Sequence, residues 1–594
     1  MSIEARYRYR VLRDRVLPPA TRRRRAHDRA LTALRRAFPE LFEPPDAYKR
    51  WYRSNRLGWV QLARQRRQSR AWGYRPLISV VTPVYDVAEV WLRACVDSVL
   101  AQSYERWELC LVNDGSKAPH VAPVLASYAA RDRRIRVETL PHNSGITAAS
   151  ARGLQMARGD FVALLDHDDA LSRDALAEVV RLLNQDPCLD LVYSDEDRLE
   201  PNGRRVEPFF KPDWSPDLLL SMNYICHLGV YRRSVLEQVG GFRPGYDGSQ
   251  DWDLVLRFTE ATQRIGHVPR MLYHWRKVPS SVAAGGEAKL YAFTAGQRAV
   301  EDALRRRGRP GKVEMTTLGR YRVRYALEHE PKVSILIPTR DRADILRTCI
   351  ESILAKSTYA NYEILVLDND SEEQETLALL AGLRAPHRSV RFARPFNWSA
   401  INNFGVEQAR GEYLVLLNND TEVIEPGWIE AMLGHAQHPE VGVVGAKLLY
   451  PDGHVQHAGV IVGIGETAGH AFKGIEGSDP GYIGMAAVAR NYSAVTGACM
   501  MVRRDVFESV GGIDEHYEVA YSDIDFCLKV TRRGLRVVFT PDALLYHHES
   551  ATRGELDPPE DKRRFRERWA EVIARDPFYN PNLTRTTTDF GVGS

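Results

Sequence analysis

Two acidic clusters recur in this chain, and each has the residue types needed to handle a phosphate ester. Asp166-His167-Asp168-Asp169 directly follows the apolar run 161–165, and Asn418-Asn419-Asp420 follows the apolar run 413–417. Carboxylates crowded at a strand end repel one another. A hard cation such as Mg²⁺ or Mn²⁺ relieves that repulsion and keeps positions open for phosphate oxygens. A lone Asp-x-Asp is usually a solvated turn, but placement after a buried strand and recurrence favour Asp166, Asp168 and Asp420 as metal ligands. Further along, Gln250-Asp251-Trp252-Asp253 and Ser522-Asp523-Ile524-Asp525 each open an apolar helical run about ten residues after a Gly-Gly pair. Such carboxylates can simply cap a helix. An ionised Asp at a cleft mouth can also take the proton of a hydroxyl, which makes Asp251 and Asp523 candidate general bases. Tyr273-His274-Trp275 and Tyr546-His547-His548 close the two series. They put His274 and His547 forward as metal or diphosphate ligands, against the ordinary structural role of a histidine after an apolar strand. His454-Val-Gln-His457 has no accompanying Cys or carboxylate pattern and reads as acceptor-side or structural.

These clusters belong to a duplication. Ile78-Ser-Val-Val-Thr-Pro-Val-Tyr-Asp86 returns as Val333-Ser-Ile-Leu-Ile-Pro-Thr-Arg-Asp341. Trp107-Glu-Leu-Cys-Leu-Val-Asn-Asp-Gly-Ser116 returns as Tyr362-Glu-Ile-Leu-Val-Leu-Asp-Asn-Asp-Ser371, and Gly159-Asp-Phe-Val-Ala-Leu-Leu-Asp-His-Asp168 returns as Gly411-Glu-Tyr-Leu-Val-Leu-Leu-Asn-Asn-Asp420. A spacing near 250 residues is too long for a solenoid repeat and signals a duplicated domain.

The elements that must position these residues alternate. Strands are expected at 78–82, 108–113, 135–139 and 161–166, with helices at 89–100, 121–130 and 147–158; the pattern repeats from 333 to 418. Near-continuous apolar strands between helices predict an α/β fold with a parallel sheet. Its ligands sit at the carboxyl ends of the strands, where 82–83, 113–114, 166–169, 338, 368–369 and 418–420 all fall. The expected organisation is a basic, mainly helical arm at 1–75, a first domain at 76–315 and a second at 316–594, with an amphipathic helix at 289–306 between them.

Composition bounds the class. The chain has 594 residues, 44% hydrophobic and 27% charged, as in a globular protein. No run reaches the ~18–20 apolar residues of a membrane helix, and no apolar segment of signal-peptide type follows Met1. Seven cysteines without a CxxC pair fit reduced, buried thiols, so a cytoplasmic location is expected. The net charge of +4 conceals an asymmetry: residues 1–75 carry 21 Lys/Arg and 6 Asp/Glu. With Arg22–Arg25 at its densest point and Leu31, Leu34, Phe38 and Leu41 interleaved, this arm suits an anionic membrane surface. A solvated basic face and a nucleic-acid contact are the alternatives, the last without any recognised nucleic-acid-binding motif.

Taken together, these motifs resemble family 2 glycosyltransferases of the GT-A fold, over roughly 76–280 and 331–585. The first copy contributes Thr82-Pro-Val-Tyr85, Val112-Asn-Asp-Gly-Ser116, Asn143-Ser-Gly145, Leu165-Asp-His-Asp-Asp169 and Gln250-Asp-Trp-Asp253. The second resembles the rhamnosyltransferase-type branch through Phe396-Asn-Trp-Ser-Ala-Ile-Asn-Asn403, Leu417-Asn-Asn-Asp-Thr-Glu422, Gly497-Ala-Cys-Met500 and Tyr521-Ser-Asp-Ile-Asp-Phe526. Tyr193-Ser-Asp-Glu-Asp197 resembles the family's acceptor-side segment. The tail Asp576-Pro-Phe-Tyr-Asn-Pro-Asn582 is similar to that of tandem enzymes of bacterial surface-polysaccharide assembly. The resemblance implies that Pro83, Tyr85, Asn113, Asp114 and Asp166 border the nucleotide-sugar in the first copy, and Pro338, Asp368, Asn369 and Asn418 in the second. It implies Asp251 and Asp523 as bases of an inverting hexosyl or rhamnosyl transfer from a nucleotide-diphosphate sugar. The implied acceptor is an oligosaccharide or a lipid-linked surface glycan such as O-antigen or capsule. Two departures stand out. Asn418 replaces the first metal-side Asp, and Gln250 or Ser522 precedes the base where many relatives carry Glu. A single catalytic domain joined to a glycan-binding one is the rival organisation. A processive membrane synthase is disfavoured, because no Gln-x-x-Arg-Trp motif is present.

Overall fold

The computed structural model describes residues 47–278, 290–548 and 558–593. The arginine run 22–25 and the apolar positions 31, 34, 38 and 41 of the expected surface helix lie outside the described residues. Among the described residues, those up to Arg56 belong to one unit and those from Leu57 to Gly593 to another. In the first, helix Ala47–Asn55 buries Tyr48, whose ring stacks on Trp51 at 5.8 Å.

The larger unit holds two sheets of one design. The first is built from β1 Ile78–Val84, β2 Trp107–Asn113, β3 Ile135–Thr139, β4 Phe161–Leu164, β5 Ala170–Leu171, β6 Leu191–Leu199, β7 Arg205–Phe209, β8 Gly229–Arg232 and β9 Ile265–Arg276. Their order is β3-β2-β1-β4-β8-β6-β9-β5, with β7 beside β6. After the hairpin β10 Gly311–Thr317 and β11 Arg320–Tyr325, which runs across residue 315, the second sheet begins. Its strands are β12 Val333–Thr339, β13 Tyr362–Asp368, β14 Arg388–Arg391, β15 Tyr413–Leu417, β16 Thr421–Val423, β17 Val441–Leu449, β18 Val455–His457, β19 Val460–Val462, β20 Ala468–His470, β21 Arg490–Tyr492, β22 Cys499–Arg503 and β23 Arg536–His547. The order β14-β13-β12-β15-β22-β17-β23-β16 copies the first, while β19 and β20 form a separate ribbon. The leading half of each sheet is parallel throughout as expected, and the trailing half keeps one parallel pair, β6 with β9 and β17 with β23, among antiparallel ones. β4 pairs with β8, and β15 with β22, in antiparallel register, so the sheets are mixed.

Identical atomic fittings explain why both copies fold alike. The buried Glu108 carboxylate accepts hydrogen bonds from Ser79 Oγ (2.6 Å) and Arg158 N (2.6 Å); Glu363 accepts from Ser334 Oγ and Arg410 N, each at 2.7 Å. Both bonds reach Oε1 in each copy; Glu108 Oε2 also accepts from Arg136 at 3.3 Å, whereas Glu363 Oε2 is buried without a hydrogen-bond partner among the described residues. Gly153 and Gly405 let a helix lie directly on its sheet: a Cβ there would come within 2.4 Å of Val81 Cγ1 or 2.5 Å of Leu367 Cδ1. The central strands are buried on both faces, as their continuous apolar runs require, with Val80, Leu109 and Ala163 inaccessible in one core and Ile335, Ile364 and Val415 in the other. The second copy differs chiefly by its insertion between β17 and β22, which carries β18–β21.

The halves are locked together. Asn491 Oδ1 accepts from Ser215 Oγ at 3.0 Å, Arg536 pairs with Asp217 at 3.1 Å, and the tail after Arg575 returns to the first half. Among the described residues, no helix is long and apolar enough to cross a membrane.

Candidate active sites

Both acidic clusters stand where β4 and β15 end, and each site is completed by a distant helix and strand. In the first, Asp166 faces the cleft with its side chain 36% exposed, and His227 Nε2 approaches its Oδ2 at 3.6 Å. Asp168 is largely buried, and desolvation, with Asp166 beside it, raises its carboxyl above the usual range. Asp169 is structural: its oxygens accept from Tyr273 Oη (2.6 Å) and Arg276 N (2.7 Å). His167 Nδ1 lies 3.0 Å from the carbonyl of the buried Pro83 and fastens the cluster to the end of β1.

In the second site His547 Nε2 lies 3.2 Å from Asp420 Oδ1 and 3.3 Å from Asn418 Nδ2. Burial acts to raise the Asp420 carboxyl, but its contact with His547 outweighs this and leaves it below the usual range. His547 Nδ1 is buried without a hydrogen-bond partner.

His274 does not join the first site, which corrects the expectation. Its Nδ1 lies 2.6 Å from Asp197, on the far face of β9 from Tyr273 and Asp169. The register explains why. His547 is opposite Thr421, one residue after Asp420, whereas His274 is opposite Ala170, two residues after Asp168. The strand counterpart of His547 is therefore Trp275. Because side chains alternate, a shift of one residue turns a group to the other face. The imidazole that does enter the first site is His227, stacked on Tyr273 at 4.6 Å and edge-on to Trp275 at 6.2 Å. Nothing in the sequence marks it, since its counterpart on the way into β22 is Ala498.

The helical acidic pairs divide between two roles. Asp253 is fully buried and bound by Arg243 (2.6 Å) and Arg257 (2.8 Å). Asp525 is likewise held by Trp569 Nε1 (2.8 Å) and Arg568 (3.2 Å). Positions two apart on a helix point to opposite sides, so the partners Asp251 and Asp523 face the sites. Asp251 Oδ2 accepts from Asn223 Nδ2 at 2.9 Å. Asp523 Oδ2 accepts from Gly497 N at 2.8 Å, and Oδ1 from its neighbour Ile524 N. Burial pushes both carboxyls above the usual range; His227 opposes this at Asp251, and the Gly497 N–H at Asp523.

The nucleotide-side residues occupy matching strand ends but serve the backbone differently. Asn113 Oδ1 accepts from Ser116 N, and Asp368 Oδ1 from Ser371 N. Asp114 receives Ser144 N (2.7 Å) and Gly145 N (3.0 Å), which fixes the 143–145 turn beside it. Its counterpart Asn369 donates instead to the carbonyls of Phe392 and Arg394 and keeps a buried Oδ1 without a partner. Pro338, Asn369 and Asn419 line a cavity of about 250 Å³ with Thr339, Arg340, Arg342, Phe396 and Ile401. Tyr85 follows β1 and is partly exposed. His457 is fully buried: its Nδ1 lies 2.7 Å from His470 Nδ1, and its Nε2 accepts from Gly459 N and Thr496 N.

Among the described residues, no three His, Cys, Asp or Glu side chains already converge in a metal-holding cluster. The donors nonetheless suit a hard cation: crowded carboxylates in the first site and an Asp–His pair with an unengaged buried nitrogen in the second.

Residues 79–240 and 334–511, more than half of the chain, match the family model of glycosyl transferase family 2, and the chain belongs to that family. Its two sheets are GT-A domains in tandem. The chain is 47% identical over 536 residues to the protein y4gI of Sinorhizobium fredii (strain NBRC 101917 / NGR234), which covers 87% of this chain and 59% of that one. It is 46% identical over 528 residues to the O-antigen biosynthesis protein RfbC of Myxococcus xanthus, covering 87% of this chain and 41% of RfbC. The chain thus spans about half the length of these relatives. Among solved structures, S. aureus TarS 1–349 in complex with UDP-GlcNAc is similar at 18% identity and a TM-score of 0.33, over 38% of this chain and 66% of that one.

Proposed function

We propose that the chain is an inverting glycosyltransferase with two active sites, one in each of the domains 76–315 and 316–594. The observation that carries this reading is the split of each helical acidic pair: Asp253 is bound by two arginines and Asp525 by Trp569 and Arg568, while Asp251 accepts from Asn223 and Asp523 from the Gly497 backbone. The acceptor hydroxyl gives its proton to Asp251 or Asp523 as its oxygen bonds to the anomeric carbon. The bond from that carbon to the diphosphate breaks on the opposite face, so the configuration inverts. Pro83, Tyr85, Asn113 and Asp114 in the first domain, and Pro338, Asp368, Asn369 and Asn418 in the second, border the nucleotide. Asp166 with Asp168, and Asp420 with His547, would hold Mg²⁺ or Mn²⁺, which when bound supplies positive charge to the departing diphosphate.

The resemblance to the O-antigen biosynthesis protein RfbC supports a growing glycan of O-antigen type as acceptor, and a hexosyl or rhamnosyl donor and a lipid-linked acceptor complete the proposal. The basic stretch 1–75 supports peripheral attachment to the anionic inner face of the cell membrane. A second reading makes the second domain a glycan-binding module, favoured by its single cluster carboxylate, Asp420. The test incubates the full chain, Asp251→Asn and Asp523→Asn with a panel of nucleotide sugars and acceptor glycans and measures nucleoside-diphosphate release. Two separable donor activities support the bifunctional reading. A single activity lost in Asp251→Asn and kept in Asp523→Asn supports the second, and no release with any donor refutes both.

A further inference from the structure

We propose that the second half of the chain positions the catalytic loop of the first, through Tyr482 and Asn580 acting on the segment that carries Lys211. This rests on the reading of Asp251 as the first domain's base. The loop 223–228 supplies both groups that approach the first site from outside the sheet. Asn223 donates to Asp251 at 2.9 Å, and His227 reaches within 3.6 Å of Asp166. One buried ammonium sets the loop's course. Lys211 is inaccessible to solvent, and its Nζ donates to the carbonyls of Ile225 and His227, each at 2.6 Å, and to Glu196 Oε2 at 2.9 Å. Three acceptors use all three ammonium hydrogens. Glu196 Oε2 also accepts His227 N at 3.3 Å, closing the knot around the loop.

The backbone that bears Lys211 is gripped by side chains from the other half. Tyr482 Oη donates to Pro208 O at 2.8 Å and accepts from Phe210 N at 2.9 Å. Asn580 Nδ2 donates to Lys211 O at 2.8 Å and to both oxygens of Asp195 at 3.0 Å. Asp195 in turn accepts Lys211 N at 2.9 Å. Just beyond, Asp213 N donates to Pro577 O at 2.8 Å. Segment 208–213 thus takes its place from residues some 270 to 370 positions later in the chain, and it sets the loop that holds Asp251. In the second site Asp523 is held directly by Gly497 of its own half. Tyr482 and Asn580 are positioning residues for the first site.

The test uses the full chain in two backgrounds. Asp523→Asn leaves only first-domain turnover and Asp251→Asn only second-domain turnover, each followed as nucleoside-diphosphate release from the donor that domain accepts. Tyr482→Phe and Asn580→Ala are added to each background, because Lys211→Met can fail to fold. A misplacement approaching 1 Å costs up to about 100-fold, so the double variant should lower first-domain kcat about 10-fold to 100-fold. The donor KM should stay within about twofold, and so should second-domain kcat. First-domain kcat unchanged in the double variant would overturn the proposal. So would an equal fall in both turnovers with a lowered melting temperature, which marks general loosening. Persistence of first-domain turnover in Asp251→Asn alone would overturn the functional reading itself, and this proposal with it.

Discussion

Asp251 and Asp253 lie two residues apart on one helix, and substituting each by asparagine should give opposite results. Among the described residues Asp251 makes no ion pair with an arginine or lysine; its oxygen accepts a hydrogen bond from Asn223, and an asparagine rotamer can accept the same bond. Burial raises its folded-state pKa. A carboxyl with a raised folded pKa contributes stability below its unfolded pKa and loses it as pH rises through the folded value. At neutral pH the ionised Asp251 therefore costs stability, and Asp251→Asn should melt no lower than the parent, the difference vanishing as pH falls towards 4. Catalysis should respond in the other direction. Removing a general base costs about 10²–10⁴-fold in rate, or about 3–5 kcal/mol of barrier. First-domain kcat should fall by that factor with nucleotide affinity within about twofold, since the group acts on the acceptor proton. In the parent the rate should climb with pH through an acid limb above the ordinary aspartate pKa of about 3.9.

Asp253 is held by two arginines, Arg257 at 10% side-chain exposure and Arg243 at 35%. Breaking a buried pair costs about 3–5 kcal/mol, and the half-open Arg243 side places Asp253→Asn near the lower end, about 3 kcal/mol. Urea unfolding and nucleoside-diphosphate release on the two variants separate the effects. If Asp253→Asn were fully stable and inactive while Asp251→Asn retained turnover, the assignment of the two faces would be refuted.

Three further outcomes can be checked. Asp523→Asn should reduce second-domain kcat by a similar 10²–10⁴-fold and leave the first within about twofold, measured as release from each domain's donor. Chelation by EDTA should abolish release and Mn²⁺ restore it; in Mn²⁺ titrations followed by electron paramagnetic resonance, His547→Gln should weaken one class of site about 10-fold or more, whereas His274→Gln should leave binding unchanged. Replacing Arg22–Arg25 with Gln should weaken flotation with anionic vesicles, and parent binding should fall as salt rises because such attraction is screened within about 8–10 Å.

What the sequence disclosed and what it withheld follow from one distinction. Strands buried on both faces must be apolar throughout, and the duplicated carboxylates had to follow them. The first half of each domain, the acidic clusters and the helical Asp pairs could therefore be read directly from residue order. The antiparallel β8 and β22 left no comparable trace, because an apolar run does not state its direction. The misassignment of His274 is the sharper lesson. Aligning Tyr273-His274 with Tyr546-His547 matches letters, yet each face of β9 is decided by its pairing with β5, and that register differs by one residue from the letter match. Period-two alternation then turns a ligand into a core residue. The groups that complete the first site, Asn223 and His227, come from a loop whose course is set by Lys211 and, through Tyr482 and Asn580, by the far half of the chain. No local pattern can encode a position that depends on contacts some 270 to 370 residues away. The tail 576–582 was legible only as a resemblance; its physical content is the Asn580 amide that joins Asp195 to the Lys211 carbonyl. A duplicated gene therefore need not give two independent domains: here one copy has kept its base in its own backbone, while the other takes the geometry around its base partly from its twin.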